Sequence, residues 1–418
     1  MTKILILSYY YEPANFVACE RVHSWAKYFK ENDLYPIIVT RQWNEGQTDI
    51  VDPVNNNKLN IIKYDGHEVH YLPHKNSLRN KLAYANKLSF IRKILSFSEL
   101  LTERILFRFS KNYIFYAYTH RFLKKNQGIK IIIASGRPFY LFKVASLLAL
   151  KNKVKWIADY RDEWTTIYPK PKLSLINKLL FSLEKINERK WIDSSAFFTT
   201  TSEPIKNRIS KTHNKKGLLV YNGYDGEVLK QISNQNNSNE LNILYAGTLY
   251  SYQNIDLLID SVKKINCESS IVNINMTYVG VEIIPSELKK LEHKINNDTS
   301  FTIIPKMNYE DLTNLYHEMD ILYLTSYEQN EGWLPVKLFD YYRIGKPVLL
   351  YPSDNGVMRD FIMQSNSGLS CSNHLEFEKF ITKFLNNKVT FIRNEEFGRF
   401  YSRKYQAKLF CAEIKKIL

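Results

Sequence analysis

Residues 326–352 read SYEQNEGWLPVKLFDYYRIGKPVLLYP, and the rest of the chain is organised around this stretch. Ahead of it the apolar run Ile321–Leu324, bounded by polar residues, predicts a buried strand. Gly332 and Pro335 bracket a tight loop, and a proline suits the first turn of a helix, where its missing N–H costs nothing. The helix is expected to run to about Ile344 and to stop at Gly345, before a strand over Pro347–Tyr351. Lys337 and Asp340 stand three apart and share a helix face flanked by Tyr341, with Leu338 and Phe339 turned to a core. A strand, a glycine loop, a helix N-terminus and a Lys/Asp pair make a site for a nucleoside diphosphate. The helix end offers unpaired N–H groups to phosphate oxygens, Lys337 adds a full charge, and an acid on the same face can accept both hydrogen bonds of a ribose diol. The plainer reading of the same residues is an amphipathic helix with a solvated Lys/Asp pair.

With 418 residues the chain has room for two domains of ordinary size. The four cysteines, Cys19, Cys267, Cys371 and Cys411, are scattered with no C-x-x-C pair, so neither a zinc site nor a disulfide framework is indicated and a reducing compartment fits. The N-terminal MTKILILS reads as a first strand, and no run of about 18 apolar residues predicts a membrane-spanning helix. A net charge of +16 leaves nucleic acid, anionic membrane and anionic substrates open. No nucleic-acid-binding module accompanies that charge, so nucleic acid is excluded as a partner.

Strand, helix and strand signals over Lys3–Ser8, Glu20–Lys30 and Tyr35–Thr40 open a doubly wound α/β domain, whose ligands bind at the carboxyl ends of the strands. The first loop, SYYYEPANFVACER, has no glycine, so the dinucleotide fingerprint is absent. A strand over Val154–Ala158 ends in Asp159-Tyr160-Arg161-Asp162-Glu163-Trp164, with two aspartates and an arginine where such a fold places its ligand. Helix capping by Asp159 or Asp162, or pairing with Arg161, is the structural alternative. After the linker-like tract 231–240 the α/β alternation restarts, with Gly247-Thr248 closing one strand and Lys306 following another. From Phe361 onward the chain is expected to be mainly helical. Residues 79–125 hold eleven Lys and Arg against Glu99 and Glu103, interleaved with large apolar residues, a composition suited to an anionic lipid interface. Packed helices with a solvated basic edge are the competing reading.

The motifs together resemble retaining glycosyltransferases of family 4 with the two-domain GT-B fold. Asp340-Tyr341-Tyr342-Arg343-Ile344-Gly345-Lys346-Pro347-Val348 is similar to the second half of that family's donor motif, with Asp in place of the usual Glu. The acid expected eight positions earlier falls on Gly332, with Glu331 one place early. Tyr10-Tyr11-Glu12-Pro13, Asp159 to Trp164 and Asn222-Gly223-Tyr224-Asp225 resemble further family segments in family order, although the Gly-Gly pair of many relatives is missing from the first loop.

The resemblance implies an α/β protein of two Rossmann-like domains facing a cleft. Residues 1–225 would form the acceptor side, joined by a returning helix at 395–418, and residues 226–394 would bind a nucleotide sugar. It implies catalytic roles for Asp159, Arg161 and Asp162, and donor contacts from Gly247, Thr248, Lys306, Glu331, Gly332, Leu334, Lys337 and Asp340. No metal and no cofactor are expected, in keeping with the lack of a D-x-D motif arranged to hold a cation. The acceptor is expected to be a polyprenyl-diphosphate-linked or other glycan of capsule or O-antigen type, met by a cytoplasmic enzyme peripheral to the inner membrane face through 79–125. A sugar-nucleotide 2-epimerase of the same fold and a catalytically silent scaffold are the alternatives.

Overall fold

The computed structural model describes all residues except 56, 168–173, 231–239, 269–271, 329–331 and 387–390. The chain divides into two compact units, Met1–Tyr221 with Arg403–Leu418, and Asn222–Ser402.

The first unit is built on β1 (Thr2–Ser8), β2 (Leu34–Arg41), β3 (Asn60–Tyr64), β4 (His67–Leu72), β5 (Ile131–Gly136), β6 (Lys155–Tyr160), β7 (Phe197–Thr200) and β8 (Gly217–Leu219). Among the described residues these form one sheet in the order β3-β4-β2-β1-β5-β6-β7-β8, parallel except for the β3–β4 hairpin. Ile4, Leu5, Ile6 and Leu7 are fully buried, as are Ile132 and Ile133, because a parallel sheet covered on both faces leaves neither face for water. The crossovers are α1 (Val17–Tyr28), α2 (Leu78–Tyr84), α3 (Ser89–Arg104), α4 (Tyr113–Lys125), α5 (Tyr140–Asn152), α6 (Leu175–Ile192) and α7 (Glu203–His213). The terminal helix Arg403–Lys415 lays Ala407, Phe410 and Ile414 against Val22, Trp25 and Phe29.

One buried ion pair fastens this sheet. Arg21, on α1, gives Asp159 two hydrogen bonds through Nε (2.9 and 3.1 Å) and one through Nη2 (2.7 Å), and its Nη1 donates to the Val220 carbonyl (2.7 Å). Ser135 and Thr199 donate to the same carboxylate at 2.8 and 2.7 Å. Both charges are almost wholly out of water, so the pair is tolerable only because its hydrogen bonds are made.

In the second unit the strands are β9 (Glu240–Ala246), β10 (Asn273–Val279), β11 (Phe301–Ile304), β12 (Ile321–Leu324), β13 (Val348–Leu350) and β14 (Gly368–Ser370). Their order, β11-β10-β9-β12-β13-β14, is the 3-2-1-4-5-6 arrangement of a doubly wound sheet, with the reversal between β9 and β12. The helices are α8 (Asp256–Glu268), α9 (Pro285–Ile295), α10 (Tyr309–Glu318), α11 (Val336–Ile344), α12 (Val357–Gln364), α13 (His374–Leu385) and α14 (Glu395–Arg399).

The segment after Phe361 is mainly helical, as expected, but also contributes β14, which pairs with β13 (Leu349 opposite Leu369); three residues with a single large apolar side chain carry too little pattern to reveal a strand. One boundary changes. Residues 395–402, expected to travel with the terminal helix, pack in the second unit instead. There Phe397 and Tyr401 lie against Phe361, and Gly398 touches Tyr342 so closely that any Cβ would collide with its hydroxyl.

Asp159→Asn keeps the shape of the first unit's ion pair but strands Arg21 as a buried charge. The change is expected to cost about 3–5 kcal/mol. Urea unfolding of the two proteins measures it; an unchanged midpoint would mean that the pair does not hold the sheet.

Candidate functional site

The second unit collects its candidate residues at the switch point between β9 and β12, where strand order reverses, the place at which doubly wound sheets take their ligands. Gly247 ends β9 with φ +112°, a conformation that favours glycine, and donates its N–H to the Val279 carbonyl (2.8 Å). A Cβ on Gly247 would stand 3.4 Å from Lys337 Nζ. Gly280 ends β10 with φ +74°, and a Cβ there would meet Lys306 Cβ at 3.7 Å and Gly247 Cα at 3.9 Å. Gly247, Lys306 and Lys337 therefore surround one small space. Lys306 itself is exposed, and its N–H donates to Glu282 Oε1 (2.8 Å).

Helix α11 begins after Pro335, which caps it in an extended conformation, and ends on Gly345 at φ +87°. Leu338 and Phe339 are fully buried, as the spacing predicts, while Asp340 is half-buried on the face it shares with Lys337. Tyr341 is buried, and its hydroxyl accepts the Ala246 N–H (3.2 Å), tying α11 to the end of β9. Gly332 sits at φ +87° and Leu334 is buried beside the helix start. Glu331 lies outside the described residues.

Lys337 is the unusual member. Its side chain as a whole is half-buried, but the ammonium is out of water and has no hydrogen-bond partner among the described residues. It rests over the ring of Tyr245, 3.8 Å from the centroid, a cation–π contact that offsets only part of its desolvation. Burial alone pushes its pKa from the usual 10.5 down to about 7. An ammonium held this way beside a glycine turn is a socket for an anion.

Sequence reasoning did not find what holds the socket. Tyr245 reads as core, yet its hydroxyl donates to the Thr248 carbonyl (2.9 Å), with Gln253 Oε1 3.2 Å away. Gln253 Oε1 also accepts the Tyr250 N–H (2.9 Å), so this side chain braces the glycine turn. The parallel rings of Tyr250 and Tyr252, 5.2 Å apart, extend the same loop.

In the first unit, Asp159 does not join its two partners as a substrate contact. It is fully buried, and Arg21, Ser135 and Thr199 take up its carboxylate. Arg161 and Asp162 do lie at the mouth of the strands: Arg161 Nε is 3.7 Å and Arg137 Nε 4.0 Å from Asp162 Oδ2. Arg161 also stands over the Tyr10 ring at 5.5 Å and donates to the Ala18 carbonyl at 3.3 Å. Asp159 stands near the end of its strand, as its sequence context predicts, but its partner lies 138 residues earlier, beyond any local pattern.

A prediction follows from the buried ammonium. Near pH 8 Lys337 is mostly neutral without ligand, whereas a bound diphosphate, itself fully ionised there, favours the charged form and raises its pKa again. Binding then takes up a proton, and affinity falls as pH rises above about 7 toward the bound-state pKa. Calorimetry of UDP in buffers of different ionisation heat reads the uptake directly, and Lys337→Met should abolish it. Uptake unchanged in Lys337→Met would refute the role.

Comparison with known proteins adds the following. Residues 229–403 match the family profile described as glycosyl transferases group 1. An uncharacterized glycosyltransferase of Methanocaldococcus jannaschii is 20% identical over 364 residues, 86% of this chain and 89% of its own. Sucrose-phosphate synthase from Thermosynechococcus elongatus superposes with a TM-score of 0.62 at 13% identity, covering 100% of this chain and 95% of that one. The E. coli trehalose-6-phosphate structure bound with UDP-2-fluoro glucose gives a TM-score of 0.61 at 10% identity, over 100% and 99% of the two chains. The chain thus has the two-domain GT-B fold, and most of its second unit is similar to the glycosyl transferases group 1 profile.

Proposed function

We propose that the protein transfers a sugar from a UDP- or GDP-linked donor to an acceptor hydroxyl, with retention at the anomeric carbon and without a divalent metal. The observation that carries this reading is the buried Lys337 ammonium beside Gly247, inside the matched domain. In this reading Lys337 and the N–H groups opening α11 take the charge of the leaving diphosphate, since fixed donors in a site shielded from water need no reorganisation as that charge develops. Lys306 and the Gly247-Thr248 turn complete the phosphate side, Asp340 accepts from the ribose hydroxyls, and Gly332 and Leu334 bound the sugar. Glu331 is assigned to the sugar hydroxyls by resemblance alone. Arg161 and Asp162, joined by Arg137, orient the acceptor, and Asp159 keeps the loop that presents them in place. The departing phosphate oxygen assists deprotonation of the acceptor, so no general base is required.

The acceptor in this reading is a lipid-linked glycan, reached from the cytoplasmic membrane face. α3 has no buried residue, and Phe90 is 72% and Phe109 79% exposed. Leu179 and Ile186 of α6 are exposed as well, and α6 is clamped to α3 by the two-pronged Arg104–Glu184 pair at 2.6 and 2.9 Å. The acids in this region are turned to internal partners: Glu99 toward Lys111, Glu103 to Arg104 and Asn112, Glu184 to Arg104, and Glu188 to Tyr160. Lys81, Lys87, Lys93, Arg108, Lys178 and Lys185 remain exposed around the apolar residues. Cations near an anionic leaflet contribute about 1 kcal/mol each, enough together for reversible attachment. Among the described residues no helix is long and apolar enough to cross a membrane.

Two measurements test this function. Incubation with UDP- and GDP-sugars should give donor turnover that depends on acceptor, and Asp340→Ala should weaken nucleoside diphosphate binding by about 1–3 kcal/mol. An epimer formed without acceptor would instead assign the protein to the sugar-nucleotide 2-epimerases. Flotation with anionic vesicles should fall with salt and fall again when Lys87, Arg92, Lys93 and Arg108 become Ser. Arg104 is left intact because it clamps two helices. A wild-type protein that ignores anionic vesicles at low salt overturns the membrane contact.

A further inference from the structure

The first unit holds a second buried cation that none of these roles uses. Arg41, the last residue of β2, is 1% exposed. Its Nε donates to the Gln42 carbonyl (3.0 Å) and its Nη1 to the Tyr9 hydroxyl (2.8 Å), and the guanidinium lies 3.6 Å from the centre of the Trp43 ring. Its Nη2 is buried without a hydrogen-bond partner, and no carboxylate pairs with it among the described residues. A guanidinium removed from water normally meets a carboxylate or a phosphate, whose paired oxygens match its fork.

Arg41 lines a cavity of about 230 Å³ at the carboxyl ends of β2 and β4. His74, Lys75, Lys111, Asn57 and Asn112 line it too, so three cations and no acid face the space. An adjoining cavity of about 280 Å³ shares Asn57, His74 and Lys75 and reaches Lys81 and Tyr84 of α2. Asn57 Oδ1 and His74 Nε2 are further buried atoms without a partner among the described residues. Glu99 is the nearest acid to Lys111, at 3.9 Å, and does not line either cavity. Burial, with Arg41 and Lys111 alongside, holds the His74 pKa down at about 3, in keeping with a space of positive potential.

We propose that this cavity binds a phosphate or diphosphate group, with the unfilled Nη2 of Arg41 at its base and Lys75 and Lys111 at its sides. Its place in the fold gives the group two sources. Tyr9, which holds Arg41, is the chain neighbour of Tyr10, which underlies Arg161, so the cavity adjoins the acceptor cluster. Lys111 follows the turn Phe107–Phe109, whose Phe109 is exposed, and the second cavity borders α2, so a diphosphate on a lipid would enter from the apolar face. A free anion would enter from solvent.

Calorimetry with inorganic pyrophosphate tests the site, using the Lys337→Met protein so that the second unit's socket does not contribute. Binding should persist there, and adding Lys75→Gln and Lys111→Gln should weaken it by about tenfold or more. Arg41→Lys should weaken it further; because Arg41 is a core residue, that variant counts only with unchanged circular dichroism, and the two lysine changes stand without it. No binding in Lys337→Met protein, or binding indifferent to Lys75 and Lys111, overturns the proposal. Farnesyl diphosphate held more tightly than pyrophosphate identifies the lipid-borne source, and equal affinity the free anion. UDP binding by the Lys75/Lys111 variant of otherwise wild-type protein reports on the donor reading separately.

Discussion

A cation taken out of water must find an anion, share a proton away, or remain costly, and this constraint organises both units. Three buried cations meet it differently. Arg21 is matched in full: Asp159 answers its charge, and Ser135 and Thr199 complete the carboxylate. Among the described residues Lys337 has only the face of Tyr245, and burial moves its pKa to about 7. Among the same residues Arg41 has Tyr9, Trp43 and the Gln42 carbonyl but one empty donor. The first arrangement is a structural bolt, whereas the other two leave favourable interactions for an incoming anion to make.

That contrast also divides what the sequence reveals from what it hides. The strand, loop and helix of 326–352 are legible because periodicity, Pro335 and Gly345 are local signals, and the helix spans Val336–Ile344. The shared face of Lys337 and Asp340 is legible for the same reason. The burial of the ammonium is not, because the ring beneath it comes from Tyr245, on a strand about ninety residues earlier. Asp159 looks like a site acid for as long as Arg21 is out of view, and Tyr245 looks like plain core until its hydroxyl is seen donating to the Thr248 carbonyl. For Lys337 and Asp159 the deciding partner is distant in sequence.

Surface character behaves differently. The basic and apolar composition of residues 79–125 can be read directly, and α3 does leave its large side chains exposed. The contribution of α6 cannot be read, because Leu179, Leu183 and Ile186 lie at helical spacing and suit a core equally well. The Arg104–Glu184 clamp shows that the two helices present one surface.

The second unit is an insertion in the first, entered after Tyr221 and left before Arg403. This has a consequence for biosynthesis. Phe410 and Ile414 are fully buried against Trp25 and Phe29, so the first unit lacks part of its core until residue 414 has been made. The second unit, continuous in sequence, has everything it needs by Ser402. Although domains generally fold in order of synthesis, here the later unit is complete first, and the earlier one waits with an uncovered apolar groove beside α1. A ribosome that stalls between residues 222 and 402 would release a first unit open along that groove, a natural substrate for a chaperone.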